Sequence, residues 1–174
     1  LLTVVPRLLE KVQAGMITKA RGGGFLKRNI AKFAFKRAMI KDPLLPLSFL
    51  DKIFDAMVYV KIRRALGGNL VYLISGGSAL SKELCRFYLN MGIPVYQGYG
   101  MTECSPVISS SYKGVNAEGF VGKAFPGVMI SIADNGEILV KSPGVMKCYH
   151  NKPEATAEVI DKNGWFHTGD KGEI

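Results

Sequence analysis

The sequence predicts an α/β fold: a helical N-terminal segment, a βαβ parallel-sheet fragment, then antiparallel β hairpins or a small barrel. Three observations predict it. Up to about residue 65, apolar side chains recur at helical spacing. Residues 70–74 and 93–97 are short apolar runs on either side of one amphipathic stretch, as expected of buried strands around a crossover helix. Beyond residue 105, alternating segments are separated by Asn-Gly pairs at 135–136 and 163–164. The expected organisation is a basic helical segment over 1–65, the sheet portion over 66–112 and a β-rich portion over 113–174.

The elements follow in order. Pro6 suits a first helical position, with Leu8, Leu9, Val12 and Met16 behind it at helical spacing. Gly22-Gly23-Gly24 breaks the chain; without a preceding strand or a Gly-Lys-Ser/Thr ending it reads as a turn, not a phosphate loop. A second, basic helix is expected, with Ile30, Phe33 and Ala34 on one side and Lys32 and Lys36 on the other. Pro43 and Pro46 bound a linker, and Phe49, Ile53, Phe54 and Met57 mark a third helix. After the strand at 70–74, Ser81 is a helix cap, Glu83 favours the helix dipole, and Leu80, Leu84, Phe87, Tyr88 and Met91 form one face ended by Gly92. Strands are expected at 93–97, 107–111, 128–133 and 137–141, with type I′ turns at both Asn-Gly pairs.

At 174 residues the chain has the length of one ordinary domain, and its 48% hydrophobic content is that of a globular protein. No apolar run is long enough to span a bilayer as a helix, and no signal-peptide pattern is present. Cys85, Cys104 and Cys148 form neither a metal-ligand pattern nor a disulfide framework, so a cytoplasmic location is expected. Leu1 opens inside an apolar run and Ile174 closes just after a motif, as in a piece of a longer protein.

Charge is concentrated. Residues 1–64 hold 14 Lys/Arg against 4 Asp/Glu, a net +10, whereas residues 65–174 hold 9 against 10, a net −1. Such a region attracts anions. Two readings stand: a solvated helical face, or peripheral contact with the anionic inner face of a membrane. No nucleic-acid motif is present, and no nucleic-acid partner is expected.

The chemistry concentrates at Tyr96-Gln97-Gly98-Tyr99-Gly100-Met101-Thr102-Glu103. A tyrosine face stacks on a purine, a threonine hydroxyl donates to a phosphate oxygen, and a glutamate suits Mg²⁺ held mainly by phosphates. A carboxylate such as Asp170, in Gly169-Asp170, is able to accept from both hydroxyls of a ribose and is a candidate ribose clamp. In doubly wound sheets ligands lie beyond the carboxyl ends of the strands, where Ser75-Gly76-Gly77-Ser78 and 98–103 are expected. Each residue also has a plain competitor. Tyr99 could be core, Thr102 a turn cap, Glu103 a loop carboxylate, Asp170 a turn residue, and Gly76, Gly77 and Ser78 a tight turn. His167 is expected to be structural or peripheral, His150 to lie on the surface, and Cys104 to be a small packing residue.

Tyr99-Gly100-Met101-Thr102-Glu103 resembles the YGxTE signature of the adenylate-forming (acyl-adenylate) synthetase family. Trp165-Phe166-His167-Thr168-Gly169-Asp170 resembles its TGD signature, and Ser75-Gly76-Gly77-Ser78-Ala79-Leu80 its adenine-pocket loop. A GEILV-type strand over 136–140 lies between them in the family order. Val5-Pro6-Arg7-Leu8-Leu9-Glu10-Lys11 and the basic helices are most similar to long-chain fatty acid–CoA ligases. The resemblance is tight from residue 70 and loose before it. It implies ATP/AMP and Mg²⁺ as cofactors and coenzyme A as co-substrate. It places Gly76, Gly77, Ser78, Gly98, Tyr99, Gly100, Met101, Thr102 and Asp170 at the nucleotide. Thr102 and Glu103 become catalytic, with Glu103 on the metal. It also implies that apolar residues around Val107 and Gly119 help line an acyl pocket. The alternatives are an acyl–acyl carrier protein synthetase or other adenylation domain, and a non-catalytic anion- or membrane-binding module. The family's phosphate loop ending in Pro-Lys and its C-terminal lysine domain are not within these 174 residues, so the piece alone is expected to be inactive.

Overall fold

The computed structural model describes residues 1–112 and 119–174; residue 113, where the β-rich portion was expected to begin, lies outside them. The chain divides into two compact units. The first holds 1–98 and 111–122, the second 99–110 and 123–174.

In the first unit, β1 (Leu2–Val4), β2 (Leu73–Ser75) and β3 (Val95–Gly100) are parallel neighbours, although β3 ends in the second unit. Leu2 pairs with Leu73, and Leu73 with Val95. β2 is shorter than the expected 70–74: Val71 is 67% exposed and only Leu73 and Ser75 point into the core. β3 begins two residues later than expected and continues through Gly98 and Tyr99 to Gly100.

Among the described residues, five α-helices belong to this unit. α1 (Pro6–Arg21) starts on Pro6, which gives up no hydrogen bond there, and ends on Lys19 and Arg21, which complement the helix dipole. α2 (Phe25–Ile40) buries Ala31, Ala34, Phe35 and Ala38; of the expected face of Ile30, Phe33 and Ala34 only Ala34 is buried, and Phe33 is 63% exposed. The buried stripe is made of small residues, which let α2 approach α5 (Lys82–Asn90) closely. Phe35 meets Phe87 there, with ring centroids 5.6 Å apart.

α3 (Phe49–Phe54) opens with a capping box between Ser48 and Asp51, runs into a π-helical turn at Asp55–Tyr59 and continues as α4 (Val60–Ala65). Asp51 is buried and also takes Arg37 and Lys41, the latter at 3.2 Å, so one carboxylate ties the 41–48 loop to both helices. Burial pushes the Asp51 carboxyl up, but hydrogen bonds from Arg37, Ser48 and Lys41 outweigh it and hold the group well below the usual range. α5 follows the sequence reading. Ser81 accepts from the Leu84 N–H, and Leu84, Phe87, Tyr88 and Met91 are buried. Gly92 ends the helix at φ 74°, and Arg63 donates to the Met91 carbonyl at 2.6 Å.

The second unit is mainly antiparallel β. β4 (Val107–Ser110) pairs with β5 (Lys123–Ala124). β6 (Met129–Ile132), β7 (Glu137–Lys141) and β8 (Phe166–Lys171) form a three-stranded sheet, and α6 (Pro153–Val159) precedes β8. No pairing among the described residues closes this sheet into a barrel. Neither Asn-Gly turn is type I′. At the first, Gly136 alone has positive φ (83°), the Gly136 N–H donates to Ala133 and the Ala133 N–H to Glu137. At the second, Gly164 (φ 79°) donates to Asp161 and Asp161 to Trp165. Both are three-residue loops in which glycine alone takes the left-handed position, the bulge position that follows the turn in hairpins of this length. Cys104, Ile108, Val140 and Phe166 form this unit's core.

Candidate functional site

The second unit brings together residues distant in sequence. At Gly100, the last residue of β3, a Cβ would lie 1.9 Å from the Pro106 carbonyl oxygen, so only glycine lets the chain pass itself here. The chain then forms a single 3₁₀ turn at Thr102–Cys104, closed by left-handed Ser105 at φ 55°. Just before it, the Tyr99 hydroxyl donates to Asp170 Oδ2 at 2.9 Å. The Tyr99 phenol is pushed up to about 12, first by burial and then by Asp170, against a lowering hydrogen bond with Thr168.

Asp170 reaches Tyr99 because β8 bulges. Leu139 pairs with His167 and Glu137 with Lys171, so Thr168, Gly169 and Asp170 stand opposite Ile138 alone. β7 holds the bulge at three points. Glu137 accepts the Gly169 N–H through Oε1 (2.9 Å), Glu137 Oε2 pairs with His167 Nδ1 (3.1 Å), and Thr168 Oγ1 donates to the Ile138 carbonyl (2.8 Å). The Gly169 N–H, and next His167, keep the Glu137 carboxyl below its usual range.

Glu103 is held by the segment after β7. Gly144 packs so closely that a Cβ would sit 2.9 Å from the Cys104 carbonyl oxygen, and the Met146 N–H donates to the Glu103 carbonyl at 2.7 Å. The Tyr149 hydroxyl donates to Glu103 Oε1 at 2.9 Å, and this bond raises the phenol pKa. Tyr149 is anchored in turn by its N–H to Thr156 Oγ1 (3.0 Å). Among the described residues Glu103 Oε2 has no hydrogen-bond partner. Sequence reasoning missed Tyr149 and did not give Glu137 a site role; both act through space, and nothing in their local spacing marks them.

Glu103, Glu137, Tyr149, His167, Thr168 and Asp170 border an open cleft of about 580 Å³; Tyr99 is not among its lining residues and meets it only through Asp170. Thr102 is exposed and does not line it. Cys104 is buried, and burial pushes its thiol up, which disfavours the thiolate a nucleophile needs. His150 is exposed beside Asn151.

Gly76, Gly77, Ser78 and Gly98 belong to the first unit. Gly76 lies over the Gly98 carbonyl, where a Cβ would come within 3.7 Å, and Gly77 has φ 85°. Gln97 Oε1 accepts the Leu80 N–H and so braces the far end of this loop. The Ser75 hydroxyl at the end of β2 is buried without a hydrogen-bond partner among the described residues.

Comparison with known proteins agrees with these signatures. The AMP-binding enzyme family matches residues 1–150. The long-chain-fatty-acid–CoA ligase FadD15 of Mycobacterium tuberculosis is 37% identical over 177 residues, which are 98% of this chain and 29% of that protein. The peroxisomal long chain acyl-CoA synthetase 7 of Arabidopsis thaliana is 34% identical over 185 residues, 97% of this chain and 26% of that protein. A solved Mycobacterium tuberculosis fatty acyl CoA synthetase superposes with a TM-score of 0.54 and 31% identity, covering 69% of this chain and 27% of that one. The chain thus spans about a quarter to a third of the length of the curated relatives it matches. With signatures, fold and relatives in agreement, the chain belongs to the AMP-binding enzyme family.

Proposed function

We propose that this chain is the nucleoside-handling part of an ATP-dependent ligase that activates a long-chain fatty acid as its acyl-adenylate and passes it to coenzyme A. The observation that carries the proposal is the Tyr99–Asp170 hydrogen bond, which sets an aromatic ring beside a carboxylate that lines the cleft. A ring of this kind offers a face to adenine, and the carboxylate accepts from ribose hydroxyls. The names of the relatives support the acyl and coenzyme A halves.

The reaction is two displacements. A fatty carboxylate attacks the α-phosphorus of ATP and pyrophosphate leaves; a thiol then displaces AMP to give the thioester. The residues here position and hold: Tyr99 and Asp170 fix the nucleoside, and Tyr149 orients Glu103. Glu103 would hold Mg²⁺, which offsets phosphate charge. Its single free oxygen suits a cation that takes its other ligands from phosphates and water; no cluster of three or more acidic, cysteine or histidine side chains arises among the described residues.

The test is product analysis of the parent protein with palmitate, ATP, Mg²⁺ and coenzyme A. Equal yields of AMP and palmitoyl-CoA are expected. Formation of ADP, or no thioester from any fatty acid, would overturn the proposal. Residues 1–174 alone are expected to give no palmitate-dependent pyrophosphate exchange.

A further inference from the structure

α1 and α2 enclose a groove of about 690 Å³ in the first unit. Its floor is apolar, with Ile17 and Ala20 from α1 and Phe35 and Met39 from α2. Arg21, Arg28, Lys32 and Lys36 stand exposed around it. A cavity of this size with an apolar body and a few charged groups has the make-up of a small-molecule site, typically about 300–1,000 Å³.

The rim charge is not neutralised from within. α2 contains no acidic residue and α1 only Glu10. Among the described residues of this unit the ion pairs are Arg37–Asp51, Lys41–Asp51 and Arg63–Asp55, and none uses a rim cation. Arg28 lies over the Phe25 ring at 5.7 Å, which steadies it at the mouth.

This combination selects one ligand chemistry. A small inorganic anion would leave the apolar floor in water. A neutral lipid would leave four cations unused. A single-stranded nucleic acid needs a track of stacking rings, and the groove offers only Phe35, which is buried. We propose that the α1–α2 groove binds one amphipathic anion from solution: an acyl chain ending in a carboxylate or phosphate. The chain lies on Ile17, Phe35 and Met39, and the head sits among Arg21, Arg28, Lys32 and Lys36. The groove shares no lining residue with the cleft at Asp170, so this site stands or falls apart from the ligase reading.

The test is calorimetric titration of the purified protein with dodecyl phosphate below its micellar concentration, with ATP present throughout. Dodecanol is the neutral control, and vesicles of phosphatidylcholine with or without phosphatidylglycerol are a separate arm. A saturable site for dodecyl phosphate that the groove variants remove is expected, with dodecanol much weaker there; any site that those variants leave untouched is counted to the fatty-acid substrate and not to the groove. The double variant Lys32→Gln/Lys36→Gln should weaken binding on the order of tenfold. Ala20→Trp, which fills the floor without changing charge, should abolish it. Lys11→Gln, on α1 but outside the groove lining, should leave it unchanged. Circular dichroism confirms that each variant is folded. Equal affinity for dodecanol, unchanged binding by a folded Ala20→Trp variant, or binding only to anionic vesicles would overturn the proposal.

Discussion

Tyr99 and Asp170 lie 71 residues apart in sequence and are joined by a 2.9 Å hydrogen bond from the tyrosine hydroxyl to Oδ2. One residue lies next to the end of a parallel strand and the other rides on a bulge of an antiparallel sheet. The bulge depends on Glu137, whose two oxygens hold Gly169 and His167. Nucleoside recognition is expected to depend on this small frame more than on any one contact.

Asp170→Asn tests the frame at its tip. The residue is exposed, so stability should change little. Hydrogen bonds to a charged group are worth about 1.5–3 kcal/mol, so nucleotide affinity should fall about tenfold to a hundredfold. Calorimetric titration with ATP on the parent protein reads this directly, and unchanged affinity would remove Asp170 from the nucleoside.

Tyr149→Phe removes only the hydroxyl that fixes Glu103 Oε1. The backbone hold from Met146 and the close packing of Gly144 remain, so the Thr102–Cys104 turn should keep its shape. The Mg²⁺ concentration needed for half-maximal ATP binding should rise about tenfold, with affinity at saturating Mg²⁺ nearly restored. A loss of ATP affinity that Mg²⁺ does not rescue would show that Tyr149 acts by another route.

Gly100→Ala forces a methyl group to within 1.9 Å of the Pro106 carbonyl oxygen, which is backbone and cannot swing away. A loss of about 2–3 kcal/mol is expected from the urea midpoint. Gly15→Ala in α1 meets nothing within 4 Å and should instead stabilise by about 0.5–1 kcal/mol. Equal effects at the two positions would contradict the crossing at Gly100.

Asp51 gives the stability curve an acid limb. Its folded pKa lies below the ordinary carboxylate value of about 3.9, so its contribution is complete above that value. The contribution is lost as pH falls through the lower, folded pKa. Asp51→Asn should cost about 3 kcal/mol at neutral pH, because it leaves Arg37 and Lys41 without their carboxylate. The cost should shrink as pH falls below about 3.9. A cost that stays constant down to the lowest pH measured would show that the carboxylate charge is not what matters.

What the sequence revealed was local. Ser81, the Leu84–Met91 face and Gly92 are set within a few residues of one another, and each was read correctly. On the inner face of α2 Ala34 was read correctly but Phe33 was not, because bulk was taken as a mark of burial, whereas close approach to α5 also selects Ala31 and Ala38. Both Asn-Gly turns were misassigned because the dipeptide suits two loop lengths, and strand register decides between them. At the candidate site, the motifs around Tyr99 and Asp170 stood out as short patterns. Tyr149, 46 residues from Glu103, and Glu137, 32 residues from Gly169, meet their partners only after the sheet forms.

Photolabelling with an azido-adenine analogue of ATP, followed by peptide mapping of the parent protein, tests nucleoside binding at Tyr99 most directly. Label on the Tyr99 peptide, suppressed by excess ATP, is the expected result. ATP-protected label confined to peptides other than those carrying Tyr99 or Asp170 would contradict it.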